Sequence, residues 1–384
     1  MRFDGTLLPD RTRMREVLGD ILAGRGGVPI YLSLLGLSAG FLAILCIFLL
    51  GHARTTNTST LVPWGIQITT YVYFVLISTG CTFVNFFGEI FFEKEYKPFA
   101  SRIMFLAIAT ALAAFISLAT EMGRIDRMYY FLVSPNPASP MFWMSVWYAA
   151  DVFIILLEYA NIRRKRHSRR IMWAAFFIAV ATYGTLGSLF GAVGSRAYYY
   201  GALLPVYFLF VAFLSGSALA AIVAGVEWIR APGNRSALPS PFPTFLKIGL
   251  ALAFFVSFWR LMIGLAGHGP GFEVFRLTLF ENLFYSIFLG TVVPFLLLLV
   301  IRGPIGLVFT GLLVLAVQFK SRIDLVVGGF RVPVFRAYDI PEVVRYSPSV
   351  FEVLVVVASV SLVSCVYLVC DRSGLFETVP GKEA

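Results

Sequence analysis

Apolar residues along the chain fall in continuous runs of roughly 20 separated by short polar stretches, without the period-two alternation of a half-buried strand. A hydrocarbon core of about 30 Å is crossed by a helix of about 20 apolar residues, so each run is long enough for one crossing. The runs near 30–50, 65–91, 102–121, 141–160, 171–192, 203–228, 245–266, 276–300, 304–319 and 349–370 predict ten transmembrane helices. The ninth, IGLVFTGLLVLAVQF, is the shortest and reads as a thin, tilted or re-entrant span. A membrane barrel is excluded, because its strands alternate in polarity over about 10 residues.

Composition strengthens this reading. Of 384 residues 59% are hydrophobic and 14% charged, and the mean hydropathy is +0.83. Such a chain cannot cover itself with a polar surface, so the expected class is all-α integral membrane. The opening MRFDGTLLPDRTRMREVLGD mixes acids and bases with no apolar core before a small-residue cleavage site, so it is read as a retained cytoplasmic segment, 1–29, rather than a secretory signal. The transmembrane domain is 30–370 and a cytoplasmic tail 371–384. Cys46, Cys81, Cys365 and Cys370 sit in or at the ends of apolar runs without ligand spacing and are expected to pack as small hydrophobes. The loop NIRRKRHSRR carries six basic residues and no acid, which places it, and with it both termini, in the cytoplasm. The setting is then a cytoplasmic (inner) membrane. That basic loop also suits anionic lipid or a cytoplasmic partner. The longest connection is about 30 residues, from Phe319 to Pro348, so no separate soluble domain is expected.

Ionisable residues inside hydrocarbon cost about 2.5–3.5 kcal/mol on insertion scales, so they face the protein interior and find partners. Toward the outer side the sequence places Glu121, Arg124, Asp126 and Arg127 after the third span, Asp151 in the fourth, Arg260 in the seventh and Glu281 in the eighth. Arg260 and Glu281 lie at similar depth and are expected to form a buried ion pair. Toward the cytoplasm lie Glu89, Glu158 and Glu227, which either reach water at the interface or form the inner part of a proton path. Trp64, Gln67 and Tyr71 recur at helical spacing; the fifth span holds Tyr183 before GTLGSLFG, and the sixth opens LLPVYFLFVAFLSGSALA. Small residues allow close helix packing, and a flat apolar ligand with two carbonyls suits such a slot lined by Gln, Tyr and Asp.

There is no Walker A, CxxC or HExxH pattern. His52, His167 and His268 fall in loops or at span ends, where they do not form the facing pairs of a membrane haem. Neither haem nor metal is therefore expected in this chain, and no nucleic-acid partner.

Taken in order, PWG and TYVYF in the second span, EMGRIDR ending the third, SPNPASPMFW opening the fourth, YGTLG in the fifth and PVYFLFVAFLSGSA in the sixth resemble the NrfD-like family, the polysulfide-reductase membrane subunits. The resemblance covers most of residues 60–360. It implies two four-helix bundles, spans two to five and six to nine, flanked by spans one and ten. It further implies menaquinone or another quinone bound near the outer face and a docked iron-sulfur subunit resembling a four-cluster ferredoxin. Such complexes are completed by further catalytic or cytochrome subunits. Tyr183 takes the place of a quinone-contacting tyrosine, with Gln67 and Tyr71 near the other head-group positions; the histidine that some members carry there is absent.

The resulting expectation is a quinone-binding membrane subunit that exchanges electrons with an iron-sulfur partner. Its site would be lined by Tyr183, Gln67, Tyr71 and Asp151, with Glu121 and Arg124 at the mouth and Asp151 as proton donor or acceptor. Glu89, Glu158, Glu227, Arg260 and Glu281 would serve a proton path. The alternatives are a secondary transporter, which requires broken helices at corresponding positions of two halves, and a structural anchor without quinone.

Overall fold

The computed structural model describes residues 10–166, 168–199, 201–230, 240–268, 271–335, 338 and 340–376. A surface helix, α1 (Arg11–Leu22), precedes ten helices long and apolar enough to cross a membrane. These are α2 (Val28–Leu50), α3 (Ile66–Phe91), α4 (Glu93–Glu121), α5 (Pro140–Arg163), α6 (Arg169–Gly191), α7 (Leu203–Arg230), α8 (Pro241–Ala266), α9 (Glu281–Val300), α10 (Pro304–Val326) and α11 (Val350–Arg372). All ten expected spans are present. No strand occurs among the described residues.

The ninth span corrects the sequence reading. It does not stop near 319 but continues through Val326 and a 3-10 turn at Gly328–Phe330, because the charged stretch that looked like a boundary is folded inward. The N-terminal segment holds α1, which hydropathy alone did not mark. At the other end Asp371 and Arg372 belong to α11 and Leu375 and Phe376 are buried; residues 377–384 of the expected tail lie outside the described residues, as does His167.

Helices α3 and α7 form the centre. In their most apolar windows 78% and 72% of residues are buried within the protein, against 22% for α2 and α5, whose outer faces meet lipid. α3 packs on α4 and α6, and α5 packs on α6 and α4. α7 packs on α8 and α10, while α9 fits between α8 and α10. α2 lies along α11, which rests on α4.

The two central helices cross at glycines. A Cβ added to Gly216 would fall 1.9 Å from the carbonyl carbon of Gly80, and one added to Gly80 would fall 2.0 Å from the Ala212 carbonyl oxygen. Lipid tails supply no hydrophobic drive for association, so close backbone approach at small residues contributes much of the packing energy there.

The four cysteines are free, as their apolar surroundings suggest.

Candidate functional site

One face of α5 is polar deep inside the protein. Met144, Tyr148, Asp151, Ile155 and Glu158 recur at spacings of three and four, so they form one stripe. Tyr148, Asp151 and Glu158 are 6%, 3% and 4% exposed. Glu158 is thus not an interfacial group reaching water.

Around the upper half of this stripe three tyrosines meet. The Tyr148 ring lies 6.1 Å from that of Tyr71 on α3 and 6.1 Å from that of Tyr183 on α6, with Phe115 of α4 at 5.8 Å. The Tyr183 hydroxyl donates to the Val75 carbonyl. The Tyr71 hydroxyl points at the Met144 sulfur, 4.0 Å away. Gln67 stands one turn from Tyr71 and is fully buried. Its Nε2 donates to Thr120 Oγ1 at 3.2 Å, and its backbone carbonyl accepts from Ser117 at 2.9 Å. Gln67 Oε1, Asp151 Oδ1 and the Tyr148 hydroxyl have no hydrogen-bond partner in the protein. A buried polar atom left unpaired costs about 1–3 kcal/mol, so each of these three is open to a further partner. Two acceptors and a hydroxyl among aromatic rings suit a flat ring with two oxygens at opposite ends, each able to accept or to donate a hydrogen bond.

Below the cluster the polarity continues toward the other end of α3. Thr79, Thr82 and Asn85 are buried, and their Oγ1, Oγ1 and Oδ1 atoms are unpaired. Asn85 Nδ2 bridges two carboxylates, Glu158 at 2.9 Å and Glu89 at 3.4 Å. Asp151 and Glu158 are two turns apart on α5, about 10 Å along the axis. This stretch of α3 fills that interval with hydroxyl and amide groups.

The other residues singled out by sequence lie elsewhere. Glu121 ends α4 beside Thr120, close to Gln67, with a buried, unpaired Oε2. Arg124 is exposed in the following loop and does not line the cluster. Trp64 precedes α3 and turns away from Gln67, onto Phe190, Tyr199 and Phe330, with ring centroids at 5.3, 6.4 and 5.5 Å. Glu227 is held in a ring of alternating charge. Arg102 contacts Glu227 at 2.9 Å and Asp371 at 2.6 Å, and Arg230 contacts the same two at 3.4 and 2.7 Å.

The expected Arg260–Glu281 ion pair is not formed. Glu281 pairs with Arg331 at 2.8 Å, because the chain after α10 returns over the end of α9. Arg260 instead lies over the Tyr198 ring at 4.4 Å and donates to the Tyr198 carbonyl at 3.1 Å. A cavity of about 510 Å³ opens near this point, lined by Arg196, Tyr198, His268 and Glu273, and shares no lining residue with the tyrosine cluster.

Sequence reasoning missed Tyr148 and Arg322. Tyr148 was legible in principle, three residues from Asp151 on the same helical face. Arg322, 1% exposed on α10, donates to the Tyr207 hydroxyl, while its Nε and Nη1 are unpaired. Its signal was obscured by the span boundary drawn before it. Among the described residues no cluster of three or more His, Cys, Asp or Glu has the arrangement of a metal site.

Comparison with known proteins bears on this arrangement directly. A family model described as Polysulphide reductase, NrfD, matches residues 54–333, the stretch that contains the tyrosine cluster and the polar column. The chain belongs to the NrfD family. Among its relatives, the Hdr-like menaquinol oxidoreductase integral membrane subunit of Archaeoglobus fulgidus is 27% identical over 87% of this chain and 90% of its own length. A selenate reductase subunit of Mesobacillus selenatarsenatis is 23% identical over 75% of this chain and 80% of its own. A putative dimethyl sulfoxide reductase membrane subunit of Halobacterium salinarum is 25% identical over 56% and 54%. As an NrfD protein the chain is a multi-pass membrane protein, and the family match begins beyond α2 and ends before α11.

Proposed function

We propose that this NrfD protein is the quinone-binding membrane subunit of a respiratory oxidoreductase complex, exchanging electrons between a menaquinone-type pool and an iron-sulfur partner subunit. The observation that carries the reading is the trio of unpaired polar atoms, Gln67 Oε1, Asp151 Oδ1 and the Tyr148 hydroxyl, enclosed by aromatic rings inside the membrane-spanning helices. The name of the Archaeoglobus relative, a menaquinol oxidoreductase subunit, points the same way.

A quinone would supply two-electron, two-proton chemistry that no side chain here provides. The chain's own residues would hold and orient the ring: Tyr71, Tyr148 and Phe115 would supply aromatic surface, and Gln67, fixed by Thr120 and Ser117, a hydrogen-bond acceptor. Asp151 would exchange a proton with it. Tyr183, whose proton is engaged by Val75, acts as an acceptor and as packing for Tyr148. Glu121 and Arg124 belong to the approach from outside. Both termini lie in the cytoplasm, and α3–α6 and α7–α10 act as two four-helix bundles. The column Thr79, Thr82, Asn85, Glu158 and Glu89 connects Asp151 with the cytoplasmic end and carries protons between them. Glu227, Arg260 and Glu281 stand outside this column, tied to Arg102 and Arg230, to Tyr198 and to Arg331 respectively.

A transporter would need helix breaks at matching places in both halves. The change from π to α geometry before Pro294 is one such break. Its counterpart is missing, since α5, which holds the same place in the other half, runs unbroken from Pro140 to Arg163.

The test is gentle purification from native membranes, mass spectrometry of the co-purifying subunits and extraction of quinone. Stoichiometric quinone together with a cubane-cluster ferredoxin subunit is the expected result. A solitary chain without quinone would reject the proposal.

A further inference from the structure

Helix α1 stands outside the reading above, and its charge pattern is ordered. At about 100° per residue, Met14, Val17, Leu18, Ile21 and Leu22 share one arc of about 140°. Arg15 lies about 20° beyond one edge of that arc with Arg11 about 20° inside the same edge, and Arg13 lies about 40° beyond the other edge. Glu16 and Asp20 fall on the opposite face. The apolar arc is only partly covered by the protein: Met14, Val17 and Ile21 are half-buried, α1 touching α11, while the other edge of the arc is open. None of the residues of α1 is buried, and Leu18 and Leu22 are 47% and 89% exposed.

The helix is nevertheless held at a fixed angle. The Tyr31 hydroxyl donates to the Ile21 carbonyl at 2.7 Å and accepts from Gly26 N–H at 2.8 Å, bracing the elbow between α1 and α2. Gly27 turns that elbow at φ +79°, a conformation that side-chain-bearing residues rarely adopt. Asp20 pairs with Arg25 across it at 3.4 Å, and Arg372 at the end of α11 donates to the Arg25 carbonyl at 3.3 Å. Beyond the elbow, Leu32 and Leu35 of α2 are 63% and 68% exposed.

We infer that α1 is an interfacial helix seated on the phospholipid leaflet at the end of the first span, its apolar arc in the acyl boundary and Arg11, Arg13 and Arg15 paired with lipid phosphates. The distribution of charge selects lipid over a protein groove. Arginines at the margins of an apolar face reach sideways to the phosphate layer, and acids opposite them face water, away from it. An uncharged protein groove would require no such sorting.

Amide hydrogen exchange on the full chain in nanodiscs of phosphatidylcholine and phosphatidylglycerol tests this. The amides of residues 14–22 should exchange at least about tenfold more slowly than in Leu18→Asp/Leu22→Asp, with α2 and α11 equally protected in both proteins. Arg11→Gln/Arg13→Gln/Arg15→Gln should give an intermediate loss, and Glu16→Gln none. Protection unchanged by either multiple variant would overturn the inference. So would protection that appears only when another subunit is bound.

Discussion

Replacing Asp151 with asparagine isolates the proton-carrying role of this side chain. The position is 3% exposed, and the carboxyl already leaves Oδ1 unpaired, so the amide keeps size and shape without orphaning a new acceptor. The change in stability should stay within about 1 kcal/mol. The chemical effect should be large by comparison. Proton transfer by a positioned side chain contributes about 10²–10⁴ in rate. That corresponds to about 2.7–5.4 kcal/mol on the barrier. Turnover of a menaquinol analogue by the intact native complex should fall within that range. Binding of a quinone-analogue inhibitor should stay within about threefold, because Gln67, Tyr71, Tyr148 and Tyr183 are untouched. Asp151→Glu should recover part of the rate. An asparagine variant that keeps more than about a third of wild-type turnover would refute the role. Rate and inhibitor binding falling together would instead make Asp151 a binding group.

The neighbouring column separates electron from proton movement. Glu158→Gln should leave quinol oxidation largely intact while abolishing release of the quinol protons on the cytoplasmic side of proteoliposomes, and release there at the wild-type rate would break the proposed connection. Gly216→Ala, whose Cβ would meet the α3 backbone at 1.9–2.5 Å, should cost about 1–3 kcal/mol in detergent unfolding assays. Gly184→Ala, with no heavy atom within 4 Å of the added carbon, should be neutral. In the connection before α11, burial and then the hydrogen bond to Glu352 raise the Tyr346 phenol above its ordinary value of 10.0. A phenol raised in the folded state contributes stability that is complete below pH 10 and lost as pH rises beyond it. Unfolding midpoints should therefore drop above pH 10 in the wild type and drop less in Tyr346→Phe.

How much of this was visible in the sequence follows from which forces act locally. Span positions were legible because crossing hydrocarbon is a requirement on each segment alone, met by apolar length. The candidate site was legible in part. Gln67, Tyr71, Asp151 and Tyr183 are polar where polarity is costly, and helical spacing with depth assigned them one level. Their pairings were not legible, since partners depend on how each helix is rotated about its axis and on chain returns such as the one that brings Arg331 to Glu281.

The end of α10 shows the same limit most sharply. Lys320, Arg322 and Asp324 look like the polar boundary of a span when charges are counted along the chain. In the fold Lys320 neutralises Asp324 one turn away, and Arg322 turns inward to Tyr207, a residue 115 positions earlier. A span boundary is thus set by uncompensated charge rather than by charge. Compensation across a turn can be read from i,i+4 spacing, whereas compensation across helices cannot be read before the fold is known. Arg322 lies on the unreadable side of that divide, as does the Asn85 bridge between Glu89 and Glu158, and both belong to polar groups that the apolar pattern gave no reason to expect in contact.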